Sequence, residues 1–171
     1  MQTLVVFCHP NVHTSKINAP MIQASNEDPS ITVTDLYAKY PDFKINVETE
    51  QDLLTMHNKI VLQFPLYWYN SPALLKQYLD SVLSYGWAFG DKMALKGKTL
   101  CIAATAGGTK DAYQENGKNK HTMQTLLTPF EATANFIGMK YEKPFITYGV
   151  YAMTEKQIQA RVVDYLNYVK G

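Results

Sequence analysis

Short apolar, β-branched runs alternate along this chain with helical patterns, and that alternation most narrows what it can fold into. The runs fall at residues 4–8, 31–36, 60–64, 99–105 and 145–150. Repetition of strand, helix and strand predicts a parallel sheet whose strands are joined by crossover helices. The first, third and fourth runs are nearly continuous in apolar residues, as central strands covered on both faces require. Residues 31–34 alternate Ile, Thr, Val, Thr, which suits an edge position. Right-handed crossovers then favour a doubly wound α/β sandwich of three layers, with a five-stranded parallel sheet in the order 2-1-3-4-5.

The helices carry readable punctuation. Ser71 and Pro72 predict an N-cap and a first-turn proline for a helix through Leu74, Leu75, Tyr78, Leu79 and Val82. Thr128 and Pro129 predict a second such start, and Gly138 its stop. Thr154 with Gln157 three residues on is a capping-box pattern opening the last helix, with Ile158, Val162, Tyr165, Leu166 and Val169 facing inward. Pro20 belongs to the opening turn of the first helix, which places the cap near Asn18. The polar stretch 37–50 contains Pro41 and reads as a long loop leading into a short helix. No repeat, linker or low-complexity tract interrupts the 171 residues, so the expectation is a single domain spanning 1–171.

Charge narrows function. Sixteen Lys and Arg against fifteen Asp and Glu leave a net +1, without the basic footprint of a dedicated nucleic-acid binder. Only Arg161 is an arginine, so a bound phosphate must rely on backbone amides and hydroxyls rather than a guanidinium clamp. Cys8 and Cys101 each lie inside an apolar run; they read as buried thiols of a reducing compartment, with no support for a disulfide or a metal site. The chain opens directly on a strand-like segment with no targeting pattern ahead of it, and the expected location is cytoplasmic.

In sheets of this class ligands gather at the carboxyl ends of the strands, near the switch point between strands 1 and 3. Three loops fall there. The first holds His9, Ser15, Lys16, Ile17 and Asn18 ahead of a helix, the chemistry of a single-phosphate site as well as of a polar capped turn. It carries neither a G-x-G-x-x-G fingerprint nor a Walker Lys-Ser/Thr pair. The second, Pro65, Leu66, Tyr67, Trp68 and Tyr69, puts three consecutive aromatics at a strand end. Core packing explains such residues elsewhere; at this edge they supply flat walls for an aromatic cofactor. The third, Thr105, Ala106, Gly107 and Gly108, permits close backbone approach to a ligand. Lys110, Lys118 and Lys120 follow it, as a solvated rim or as an attraction for an anionic second substrate.

Taken together, these loops resemble the flavodoxin-like NAD(P)H quinone reductases, the family of DT-diaphorase and its short bacterial relatives, including potassium-efflux ancillary flavoproteins. The resemblance runs nearly end to end. It rests on His9, Ser15 and Asn18, on Phe64 to Tyr69 followed by Pro72, Ala73, Leu74, Leu75 and Lys76, and on Thr105 with Gly107 and Gly108. It implies that Ser15 to Asn18 hold a flavin phosphate with His9 beside it, that Pro65 to Tyr69 bracket the ring system, and that Thr105 to Gly108 close over its pyrimidine edge. Tyr113 and His121 are its implied catalytic pair, although His121 aligns only with a gap, and Ala106 stands where many relatives carry a hydroxyl.

The implied activity is a two-electron, ping-pong reduction of quinones by NAD(P)H, with FMN favoured over FAD because the chain lacks the C-terminal extension of the longer enzymes. An azo- or nitro-compound reductase of the same fold is the enzymatic alternative. A regulatory subunit docked on a potassium-efflux transporter at the inner face of the membrane is the non-enzymatic one. One-electron carriers of this fold fit poorly, being strongly acidic and having a Thr-rich phosphate loop. Tyr78, Tyr85, Trp87 and Phe89 exceed what one helix and loop need for packing, and together with the resemblance predict a homodimer.

Overall fold

The structure, a computed structural model, describes residues 2–171. Strands β1 (Thr3–Phe7), β2 (Ile31–Asp35), β3 (Lys59–Pro65), β4 (Thr99–Thr105), β5 (Lys140–Tyr141) and β6 (Phe145–Thr147) form one parallel sheet. Its order is β2-β1-β3-β4-β5, with β6 also paired to β4. The predicted order is therefore the observed one, and the fifth position is shared by two short strands. Both run beside β4, β5 at Thr99 and Leu100 and β6 at Ala103 to Thr105. Pro144 lies between them and has no N–H to give a ladder, which is why the edge is broken there.

The helices are α1 (Asn18–Glu27), α2 (Leu36–Lys39), α3 (Val47–Met56), α4 (Ala73–Val82), α5 (Met123–Phe136) and α6 (Glu155–Lys170). Strand alternation sorts their contacts. Leu4, Val6, Ile60, Leu62, Phe64, Ile102 and Ala104 pack into one core with Leu36, Leu54, Leu74, Leu75, Leu127 and Phe130 from α2 to α5. Val5, Phe7, Val61, Cys101 and Ala103 pack into the other with Met21 of α1 and Tyr165 and Val169 of α6. β2 is half exposed, as its edge position and alternating sequence require, and β5 at the opposite edge has no buried residue.

Two helix starts differ from the sequence reading. Pro72 itself caps α4, with extended backbone (ψ 150) and no side-chain bond from Ser71, so the helix opens at Ala73. α5 begins at Thr122, whose hydroxyl accepts the Thr125 N–H at 3.1 Å, six residues before the predicted Thr128 and Pro129 start. Pro129 lies inside that helix. It sits on the exposed face, where water can bond the Thr125 carbonyl that it leaves without a donor, while buried Met123, Leu127, Phe130 and Ala134 hold the helix to the sheet. The stretch 37–50 is also more ordered than predicted. Asp35 caps the single turn of α2 by accepting from Tyr37 and Ala38, and Asn46 caps α3 through Thr49. Thr154 and Gln157 form the expected capping box of α6, and Gly138, at φ 75°, follows α5 as predicted.

Arg161 is committed to structure. Its Nε donates to Thr147 Oγ1 at 3.1 Å and its Nη2 to the Ile146 carbonyl at 2.6 Å, tying α6 to β6. Cys8 and Cys101 are buried free thiols, and burial pushes both up to about 12. No helix among the described residues is long and apolar enough to cross a membrane.

Candidate active site at the carboxyl edge of the sheet

Phe7 and Asp35 end their strands level with Gln63, and Pro65, Thr105 and Thr147 end theirs level with one another two residues further on, so the following loops rise along one edge. The first loop turns through a short 3-10 helix, Val12–Thr14, and enters α1 at Asn18. Asn18 is fully buried, and its Nδ2 donates both to Ser15 Oγ at 3.1 Å and to Thr105 Oγ1 at 2.9 Å. Ser15 Oγ also accepts the Asn18 N–H at 3.0 Å. The Ser15 and Thr105 oxygens are thereby used as acceptors, and their hydroxyl protons remain to be donated. Asn18 Oδ1 is buried with no partner among the described residues.

His9 is buried on the same wall, and its Nδ1 accepts the Asn11 N–H at 3.1 Å. Burial holds the imidazole below its ordinary titration range, so the proton sits on Nε2 as a donor. A pocket of about 190 Å³ is lined by His9, Thr14, Ser15, Lys16, Ile17, Asn18, Pro65, Leu66, Tyr67, Thr105, Gly107, Val150 and Tyr151. The backbone N–H groups of Lys16 and Ile17 find no acceptor among the described residues and stand at the start of α1, where the helix dipole adds positive potential.

Leu66 continues into a second pocket of about 300 Å³, with Trp68, Tyr69, Gly108, Ala112, Tyr113, Lys118 and Asn119. Its outer wall is a two-residue turn closed by reciprocal bonds between Tyr67 and Asn70, at 2.8 and 3.0 Å. Both central residues are left-handed, Trp68 at φ 47° and Tyr69 at φ 65°, positions that ordinarily take Asn and Gly. Trp68 is 93% exposed. Bulky residues held in this conformation cost about 1 kcal/mol or more each, and such strain clusters at ligand clamps. The N–H groups of Trp68, Tyr69, Gly107 and Gly108 have no acceptor among the described residues.

Gly107 and Gly108 are constrained by contact rather than by φ. A Cβ on Gly107 would stand 2.5 Å from the Tyr151 ring, and one on Gly108 3.1 Å from that of Tyr113. Tyr113 is buried, burial raises its phenol above the ordinary range, and its ring packs on Tyr148 with centroids 5.6 Å apart.

Sixteen residues were candidates from sequence, and fourteen of them line these two adjoining pockets. Ala106 and His121 do not. Ala106 is buried, with its N–H on the Thr147 carbonyl and its carbonyl taken by Val150, so it is a scaffold residue. His121 is exposed and lines neither pocket. The sequence reading missed Thr14, Val150, Tyr151, Ala112 and Asn119, and Lys118, read there as a rim or an anion attractor, lines the second pocket. Tyr151 follows Gly149, whose left-handed φ of 64° ends the last strand, three residues short of the predicted 150, and starts a fourth loop at the same edge. The rule that flagged the other three loops applies to it equally.

The residues fit a flavin mononucleotide. Hydroxyls, free amides and the helix start of the first pocket suit a phosphate, and the aromatic turn and glycine amides of the second suit a flat, hydrogen-bonding ring system. A doubly wound sheet with this two-part pocket defines the flavodoxin class. The chain belongs to that family: the family model described as flavodoxin-like fold matches residues 1–169.

Among curated relatives, an uncharacterized NAD(P)H oxidoreductase of Bacillus subtilis, YrkL, is 45% identical over 97% of this chain and 98% of its own. The glutathione-regulated potassium-efflux system ancillary protein KefG of Pectobacterium carotovorum is 44% identical over 85% of this chain and 80% of its own. Among solved structures, general stress protein 14 of Treponema denticola, in complex with FMN, superposes with TM-score 0.95 at 36% identity, covering 99% and 98% of the two chains. An NADPH-quinone reductase from P. pentosaceus superposes with TM-score 0.91 at 35% identity, over 99% and 98%.

Proposed function

We propose that the protein is an FMN-dependent NAD(P)H oxidoreductase that reduces quinones two electrons at a time. The observation that carries this is the set of six backbone N–H groups with no acceptor among the described residues, at Lys16, Ile17, Trp68, Tyr69, Gly107 and Gly108, all on residues that line two pockets joined at Leu66. FMN-bound and NADPH-quinone reductase relatives across almost the whole chain support it.

Two-electron transfer between a nicotinamide and an acceptor is the chemistry that FMN supplies when bound here. The chain's own residues hold and polarise it. Ser15, the Lys16 and Ile17 amides and His9 Nε2–H would hold the phosphate, with the Thr105 hydroxyl as a further donor. Leu66 and the turn at Trp68 and Tyr69 wall the ring. The amides of Gly107 and Gly108 and the Tyr113 hydroxyl would be the donors available to negative charge on a reduced ring, and prearranged donors of this kind lower a barrier because they need no reorganisation. His121, outside the pocket, is left without a catalytic role in this reading. Initial rates with NADPH and a simple benzoquinone should give the parallel double-reciprocal lines of a ping-pong enzyme. Intersecting lines would contradict it.

The same reading includes a homodimer. Tyr78 is fully buried and belongs to the core, whereas Tyr85 and Phe136 are largely exposed on either side of Phe89. An apolar groove of about 630 Å³ between α4 and α5 runs from these rings to Asn70 and Ser71, beside the turn that walls the ring pocket. A second copy seated there closes the open side of the site. A lone 19.4 kDa species in sedimentation at micromolar concentration would contradict the dimer. Likeness to KefG favours one further role, docking on a transporter at the inner membrane face.

A further inference from the structure

A third cavity, of about 460 Å³, adjoins the ring pocket at Tyr113, which lines both. Its charged lining is Lys110, Lys143 and Arg161, and no Asp or Glu lines it. Neither lysine has a carboxylate within ion-pair distance among the described residues. On a chain of net charge +1 this is a local concentration of positive charge and not a background property.

The three cations differ in kind. Arg161 is fixed by its bonds to Thr147 and Ile146 and lies 3.7 Å over the Phe145 ring, so it contributes a standing field; its one counter-ion, Asp164, is 3.5 Å away and largely exposed. Lys110 and Lys143 are exposed and free to swing onto a ligand. Tyr148, packed against Tyr113, adds a flat face, and Gln124 an amide. Unbalanced cations beside an aromatic face and an amide are the recognition chemistry of a purine nucleotide carrying a phosphate monoester.

We propose that this cavity receives the phosphate-bearing adenosine end of NADPH, so that one dinucleotide lies across it and the ring pocket, with its nicotinamide in the ring pocket. The inference rests on the oxidoreductase reading above and adds to it a preference for NADPH over NADH, recognised by Lys110 and Lys143. The extra phosphate of NADPH meets the lysines; NADH, lacking it, leaves them in water.

The test is calorimetric titration of the purified protein with 2′,5′-ADP, 5′-AMP and inorganic phosphate, repeated on the double variant Lys110→Gln, Lys143→Gln. Both lysines are exposed, and an unchanged melting temperature confirms that the variant is folded. 2′,5′-ADP should bind about tenfold more tightly than 5′-AMP, and the double variant should lose that preference. KM for NADPH should rise about tenfold in the variant, with kcat and the NADH parameters unchanged. Equal binding of the two nucleotides, or a preference that survives the substitutions, overturns the proposal. Inorganic phosphate binding as well as 2′,5′-ADP reduces the cavity to a plain anion site and also overturns it. Lysine-dependent 2′,5′-ADP binding in a protein that oxidises neither NADPH nor NADH upholds the cavity and defeats the oxidoreductase reading; NADPH oxidation indifferent to the lysines does the reverse.

Discussion

Asn18 Nδ2 donates to Thr105 Oγ1 at 2.9 Å across 87 residues of sequence, tying the first site loop to the third. Because Asn18 is fully buried, the bond is shielded from water, and truncating the side chain frees the Thr105 hydroxyl and leaves Ser15 Oγ held by the Asn18 N–H alone. Asn18→Ala should weaken FMN binding about tenfold, the effect of roughly 1.4 kcal/mol. Quenching of flavin fluorescence measures this directly, and an unchanged Kd would remove the cross-loop tie from the account.

The left-handed pair at Trp68 and Tyr69 should exchange stability for ligand binding. The double substitution Trp68→Asn, Tyr69→Gly suits the turn and should raise the melting temperature of the FMN-free protein by about 3 °C, from about 1 kcal/mol of released strain. The same change strips the ring pocket of its outer wall, so FMN affinity should fall tenfold or more. Thermal melts with and without FMN separate the two effects.

Two glycines make a contrasting pair. A Cβ at Gly117 would stand 2.2 Å from the Asp111 carbonyl oxygen, a backbone atom, whereas at Gly107 the obstacle is the exposed Tyr151 ring. A side chain can swing away and a backbone carbonyl cannot. Gly117→Ala should therefore cost about 2–3 kcal/mol and Gly107→Ala under about 1 kcal/mol, read from denaturant unfolding. Only the second should change FMN binding.

His9 predicts a pH dependence. Its titration is lowered in the folded protein from the ordinary 6.5, so the unfolded chain takes up the proton first as pH falls. Stability due to His9 is full above 6.5 and is lost as pH falls from there through the folded value. His9→Asn should flatten that part of the profile. A bound phosphate draws the imidazole back up, so NMR titration of the His9 ring should move to higher pH on adding FMN.

Much of this was readable from sequence because it rests on periodicity and strand-end chemistry. Continuous apolar runs marked β1, β3 and β4, and the three loops after them hold all fourteen sequence candidates that line the pockets. What escaped depends on contacts that no local pattern encodes. Pro129 resembles a helix start, yet the buried stripe from Met123 to Ala134 carries the helix through it. The fifth strand breaks at Pro144, and Gly149 turns the chain into a fourth loop before the predicted strand end at 150, so Tyr151, just beyond that end, gave no sign of belonging to the site. Ala106 lies within the site motif, but pairing with Thr147 and Val150 turns it away from the pocket.

The measurement closest to the central claim is an anaerobic absorption spectrum of the purified protein before and after NADPH, with released flavin identified by chromatography. A yellow protein that releases FMN, is bleached by one equivalent of NADPH and recovers its colour on adding a quinone is the predicted result. A colourless protein that cannot be reconstituted with FMN, or a flavin-loaded one that neither NADPH nor NADH bleaches, would contradict the account.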